Sequence, residues 1–97
     1  MYSTMKEVRE EIDLIDKELV LILAKRQKCI ESAALIKNDK NKIIDKERIE
    51  DVINKVKSFS GECGLSLDIA EPLWRKLISL SIDHEFEEFS IISNNNN

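Results

Sequence analysis

The chain has little of what breaks a fold into short pieces. Its 97 residues include two glycines and one proline. So few turn formers disfavour a many-stranded β fold and favour a few long helices. Cysteine is scarce as well: Cys29 and Cys63 form no CxxC pair, and His84 is the single histidine. Neither a disulfide scaffold nor a structural zinc site is expected, and both thiols read as ordinary small residues in a reducing compartment. Positive charge is not in excess. Lys and Arg number 15 against 19 Asp and Glu, a net charge of −4. Such a chain has no general pull on nucleic acid or anionic lipid, so neither is an expected partner. No apolar run approaches the ~18 to 20 residues of a membrane span. Residues 1–7, Met-Tyr-Ser-Thr-Met-Lys-Glu, lack the apolar core of a signal peptide, so a cytoplasmic location is expected.

What is present suits one small helical domain. Hydrophobic residues make up 42% and charged residues 35%, enough apolar material for a core and too much for a disordered chain. The expected folded domain covers residues 1–92. Ser93 to Asn97 is low-complexity and reads as a disordered tail.

The first segment predicts one long helix. Thr4 followed by Glu7 fits a capping box. A seam then runs Val8, Ile12, Ile15, Leu19, Ile22, Arg26, Cys29, Ala33, Ile36, in alternating steps of four and three. That is a heptad pattern. The polar stretch 38–42 should end the helix. Asp45 is a plausible N-cap for a second helix, on which Ile49, Val52, Ile53, Val56 and Phe59 recur at helical spacing. Ser60-Gly61-Glu62-Cys63-Gly64 breaks that spacing. A third helix starts near Ser66 or Asp68, where Asp68 and Glu71 imitate a capping box and Pro72 follows early enough to be tolerated. The expected fold is all-α, with three helices per chain.

Size then argues for a second chain. A helix over residues 4–38 spans roughly 50 Å at ~1.5 Å per residue. A compact chain of this length has a radius of gyration of about 12 to 13 Å, hence a diameter near 32 Å. The long helix would protrude with its apolar seam in water. An intertwined homodimer of helices covers it.

Charges interrupt the apolar surfaces. Arg26 occupies a seam position, where an unpaired guanidinium costs several kcal/mol. It could pair with an acid, snorkel to the edge, or face a cavity that holds an anion. Lys37 lies 11 residues on, within about 20° of the same face. Two long cationic side chains leaning together could grip one small molecule. Arg9 lies 17 residues before Arg26, or ~25 Å along the rod, and cannot reach that molecule from its own chain. In an antiparallel dimer the partner's Arg9 could. Three cations around one pocket suit a small dicarboxylate. On the third helix, Ser81 and Glu85 share a face and interrupt the side carrying Ala70, Leu73, Trp74 and Leu77, either as a solvated helix end or as part of a site. Asp45, Glu47 and Arg48 open the second helix, where acids are ordinary dipole partners.

These residues resemble a known family. Residues 8–16, Val-Arg-Glu-Glu-Ile-Asp-Leu-Ile-Asp, resemble the opening of the all-helical chorismate mutases. Leu23-Ala24-Lys25-Arg26-Gln27 and Ile36-Lys37 follow at the family's spacing, and Asp45-Lys46-Glu47-Arg48 looks like its Asp-x-Glu-Arg element. Residues 73–78 followed by Ser81 and Glu85 resemble its last helix. The resemblance implies an intertwined dimer that rearranges chorismate to prephenate for phenylalanine and tyrosine synthesis, with no cofactor, metal or covalent intermediate. It implies that Arg9 of the partner subunit holds one substrate carboxylate and Arg26 the other. Lys37 would donate to the breaking ether oxygen. Glu47 would bind the ring hydroxyl, with Lys46 beside it in the substrate-binding set. Ser81 would lie near a carboxylate, and Glu85 would be the second donor to the ether oxygen. The family commonly has Gln at the Glu85 position, so Glu85 must act protonated here, and activity should fall as pH rises.

Two alternatives stay open. The ten-residue spacing from Lys37 to Glu47 resembles the related isochorismate-pyruvate lyases, which release salicylate and pyruvate. The heptad seam alone would also suit a non-catalytic dimerisation module, though such a module has no need of Arg26 and Lys37.

Overall fold

The computed structural model describes residues 1–95. Three helices account for most of them: α1 (Met5–Lys37), α2 (Lys46–Cys63) and α3 (Leu67–Asn95). A 3₁₀ turn, Lys40–Lys42, sits between the first two. The all-α expectation holds.

Each helix end has a local cause. The Thr4 side chain accepts the Glu7 amide at 3.2 Å, and the Glu7 carboxylate reaches back to the Ser3 amide at 2.7 Å. One orphan donor of the first turn and the amide just before the cap are thus satisfied. α1 stops at Asn38, whose φ of 50° places it in the left-handed region that Asn tolerates better than most residues. Asp45 caps α2 by accepting the Arg48 amide at 3.0 Å.

One expected boundary moves, and one choice between two is decided. α2 does not break at Ser60. The exposed Gly61 has no heavy atom near its missing Cβ and simply continues the helix. The stop falls at Gly64, where φ is 81° and glycine carries no steric penalty. α3 begins from Ser66, whose side chain accepts the Asp68 amide at 3.2 Å and whose carbonyl accepts the Ala70 amide at 2.9 Å. Asp68 therefore lies inside the first turn and does not cap. Glu71 bonds Arg75 and Lys57 instead. The tail also departs from expectation: α3 continues through Ser93, Asn94 and Asn95, while residues 96 and 97 lie outside the described residues.

α3 is the central element and packs against both α1 and α2. It runs antiparallel to α2, with Glu50 opposite Arg75 and Lys57 opposite Glu71. The buried core is small: Ala34, Ile43, Ile53, Ala70 and Ile78, with Ser60 and Glu85 as buried polar residues. Ile43 plugs the α1–α2 connection into this core and so fixes the loop over the end of the bundle.

The molecule is long, with principal extents of 59 × 27 × 15 Å and a radius of gyration of 17.0 Å. A compact chain of this length would have a radius near 13 Å. The excess is α1. Its N-terminal half leaves Ile12, Ile15, Leu19 and Ile22 about half exposed or more, and Ala34 is its one buried residue. No helix among the described residues is long and apolar enough to cross a membrane.

The heptad seam is accurate only in part. Cys29 and Ile36 were expected on it, yet Cys29 is exposed and Ile36 is 80% exposed. The inward face of this half runs through Arg26, Ile30, Ala33, Ala34 and Lys37. A straight helix drifts from a 3.5-residue seam by about 20° per heptad, which is enough to replace position 29 by 30 and 36 by 37.

Candidate active site

The C-terminal half of α1, the start of α2 and the middle of α3 border a half-open cavity of about 360 Å³. That is within the ~300 to 1,000 Å³ of small-molecule sites. Almost half of its lining residues are polar: Arg26 and Lys37 from α1, Asp45 and Arg48 from the start of α2, Ser81 and Glu85 from α3.

Arg26 reaches into this space from one wall. Its Nη1 donates to Ser81 Oγ at 2.5 Å, and Ser81 Oγ donates in turn to the Leu77 carbonyl at 2.7 Å. The serine therefore uses a backbone oxygen of its own helix as a fixed point and holds the guanidinium in place. No ion pair among the described residues involves Arg26. Burial, and then the like charge of Arg48, hold it below the ordinary arginine range. A guanidinium keeps its proton even so. Of the three readings of Arg26, the structure matches the one in which it faces a cavity.

Lys37 and Glu85 meet further along the same pair of helices. Lys37 Nζ lies 2.9 Å from Glu85 Oε1, with the carboxylate side chain 5% exposed. The approach is off the line of a hydrogen bond, and this buried oxygen has no other donor. A buried acceptor left without an aligned donor is costly in a folded protein. Here it adjoins the cavity, where a guest could complete it.

Four of the seven site residues expected from the sequence thus converge: Arg26, Lys37, Ser81 and Glu85. Three do not. Arg9 is exposed on the bare half of α1, 17 residues from Arg26. Lys46 and Glu47 are exposed and do not line the cavity. Helix phase explains the last two. Relative to Val52, Asp45 and Arg48 lie within about 40° of one face, whereas Lys46 and Glu47 are rotated off it by about 120° and 140°. The same phase identifies the residue that sequence reasoning missed. Arg48 immediately precedes Ile49 and stands four before Val52, so the apolar spacing of α2 already placed it on the inward face.

A second cross-helix contact braces the site from outside. His84 Nε2 and Glu31 Oε2 are 2.7 Å apart and tie α3 to α1 next to Ser81 and Glu85. The hydrogen bond to Glu31 raises the His84 imidazole above its ordinary value, and the His84 contact holds the Glu31 carboxyl below its own. Glu31, His84 and Glu88 are also the group of potential metal ligands among the described residues, with one ligand atom each within 4.8 Å of the others. Glu31 and Glu88 do not line the cavity.

Comparison with known proteins agrees with this geometry. Residues 8–86 match the model of the family described as chorismate mutase type II. That match covers most of the chain, which therefore belongs to this family. No curated protein and no solved structure matches it.

Proposed function

We propose that the chain is a chorismate mutase that works as a homodimer, each site being completed by Arg9 of the partner subunit. The observation that carries this reading is the convergence of Arg26, Lys37, Ser81 and Glu85 on one cavity. Two cationic side chains three turns apart on α1 reach that space, and a guanidinium without an ion-pair partner awaits an anion.

The chemistry asks for such an arrangement. A pericyclic rearrangement needs no nucleophile and no general base. It needs a flexible substrate held in a chair-like near-attack geometry, and donors aimed where negative charge grows on the breaking ether oxygen. Arg26, steadied by Ser81, holds one carboxylate. Lys37 and Glu85 approach one another within 2.9 Å, so both reach a single oxygen placed between them. Lys37 donates as an ammonium. Glu85, in its protonated form, donates beside it.

The bare half of α1 supports the dimer. Its exposed Ile12, Ile15, Leu19 and Ile22 form a stripe that a second α1 covers. An antiparallel pairing brings Arg9 of the partner subunit ~25 Å along the rod to the Arg26 end. The short connection from Lys37 to Lys46 favours, as a second reading, pyruvate elimination from isochorismate. Incubation with chorismate and with isochorismate, in separate reactions, decides between them. The mutase reading expects prephenate from chorismate. Salicylate and pyruvate from isochorismate, with no prephenate from chorismate, would replace it by the lyase.

A further inference from the structure

One group of side chains outside the cavity has no part in the reading above. Glu31 lies on α1, and His84 and Glu88 stand one turn apart on α3. Each offers one ligand atom, and these atoms lie within 4.8 Å of one another. Spacing along the chain hides the group, because Glu31 and His84 are 53 residues apart. All three residues are half-buried, so an ion can reach them from solvent.

Their charges are not met in the usual way. Between α2 and α3, the carboxylates of Glu50 and Glu71 are matched by Arg75 and Lys57. Glu31 and Glu88 have no lysine or arginine in an ion pair among the described residues. The ion-pair partner of Glu31 is His84. The Glu88 side chain takes part in no hydrogen bond among the described residues.

The imidazole separates this group from an acidic patch. With Nε2 unprotonated it is a nitrogen ligand, and the two carboxylates bring the two negative charges that a divalent ion calls for. Nitrogen with carboxylate oxygen suits an ion of the zinc type, whereas Mg²⁺ and Ca²⁺ take oxygen ligands. Zinc holds such ligands at about 2.0 to 2.2 Å, which sets them roughly 3.5 Å apart. His84 Nε2 and Glu31 Oε2 stand at 2.7 Å, so an ion parts them slightly while Glu88 turns in. Gln27 Nε2 donates to Glu31 Oε2 at 3.2 Å and orients that carboxylate from behind, as outer partners of metal ligands do.

We propose that Glu31, His84 and Glu88 form a binding site for one zinc-type divalent ion per chain, which ties α1 to α3 beside the cavity. The site is independent of the chorismate chemistry. Without the ion, His84 and Glu31 form the brace described above. With it, metal bonds from three side chains join the two helices, and water fills the fourth position. An ion that binds only this folded arrangement adds stability by mass action.

The test is calorimetry of Zn²⁺ binding to the full, chelator-treated chain, together with thermal unfolding. One Zn²⁺ should bind per chain, and Tm should rise by roughly 10 °C or more at a hundred times its Kd. Mg²⁺ at the same concentration should do neither. His84→Ala and Glu88→Gln should each weaken Zn²⁺ at least tenfold. Glu88→Gln is the sharper of the two, since it should leave the metal-free Tm and the helical circular dichroism unchanged. Cys29→Ser and Cys63→Ser should keep the full affinity. Absence of Zn²⁺ binding, an affinity equal to wild type in Glu88→Gln, or binding lost with either thiol would overturn the site.

Discussion

The two halves of α1 have the same amphipathic pattern and opposite surroundings. From Arg26 to Lys37 the helix lies against α2 and α3, and Ala34 is 1% exposed. From Met5 to Ile22 no residue of it is buried, and Ile15 and Leu19 are 46% and 50% exposed. The difference shows that amphipathicity fixes which side of a helix wants a partner and not where the partner comes from. One half finds it within the chain and builds a cavity there. The other half is left with an apolar stripe and one arginine, Arg9, which by the proposal act together on another subunit.

Substitutions should separate the two halves. The largest effect belongs to the packed half. Arg26→Ala removes the fixed carboxylate anchor and should lower kcat/KM by roughly 10³-fold, with the helical circular dichroism unchanged. An equal loss of helix and activity would make Arg26 a structural residue instead. The bare half comes next. Leu19→Asp places a charge in the proposed subunit seam and should dissociate the dimer in light scattering, with activity falling roughly 100-fold, although Leu19 touches no part of the cavity. A monodisperse, fully active Leu19→Asp protein would mean that the stripe has no partner.

Two further measurements sharpen the comparison at smaller amplitude. Glu85→Gln keeps a donor beside Lys37, so its kcat/KM should stay within about tenfold of the natural chain. Glu85→Ala has no donor there and should lose roughly 100-fold. Equal activity in the two variants would remove Glu85 from the mechanism. The smallest effect concerns the His84–Glu31 brace. Folding raises His84, so its contribution is complete below about pH 6.5 and is lost as pH rises through the higher value of the folded state. Folding lowers Glu31, so its share is present above about pH 4.3 and is lost on acidification. The brace is therefore strongest between about pH 5 and 6.5. Relative to Glu31→Gln, the natural chain should lose about 1 to 2 °C of Tm between pH 6 and pH 9. No difference between the two would show that the contact adds nothing measurable.

Much of this was legible in the sequence, for reasons that differ from residue to residue. The helices followed from uninterrupted apolar spacing and from caps at Thr4 and Asp45, all of them local signals. Arg26 and Lys37 stood out because three turns return to the same face. Ser60–Gly64 misled because a glycine on an exposed helix face is tolerated, and only Gly64 adopts the left-handed conformation that ends α2. Lys46 and Glu47 were placed by motif, which fixes order along the chain but not rotation about the helix axis. Ile49 and Val52 carried that rotation and pointed to Arg48. The contacts between Lys37 and Glu85 and between His84 and Glu31 join residues 48 and 53 positions apart. Spacing within one helix holds no information about such pairs.

The central claim is that a site draws on both halves of α1, each from a different subunit. Mixing two inactive variants tests it directly. Arg9→Ala and Arg26→Ala chains are unfolded together in equal amounts and refolded. Random pairing makes half the dimers mixed, and each mixed dimer has one intact site of two, so about a quarter of wild-type activity should return. If the mixture stays as inactive as its two components, both arginines serve sites within one chain and the account is wrong.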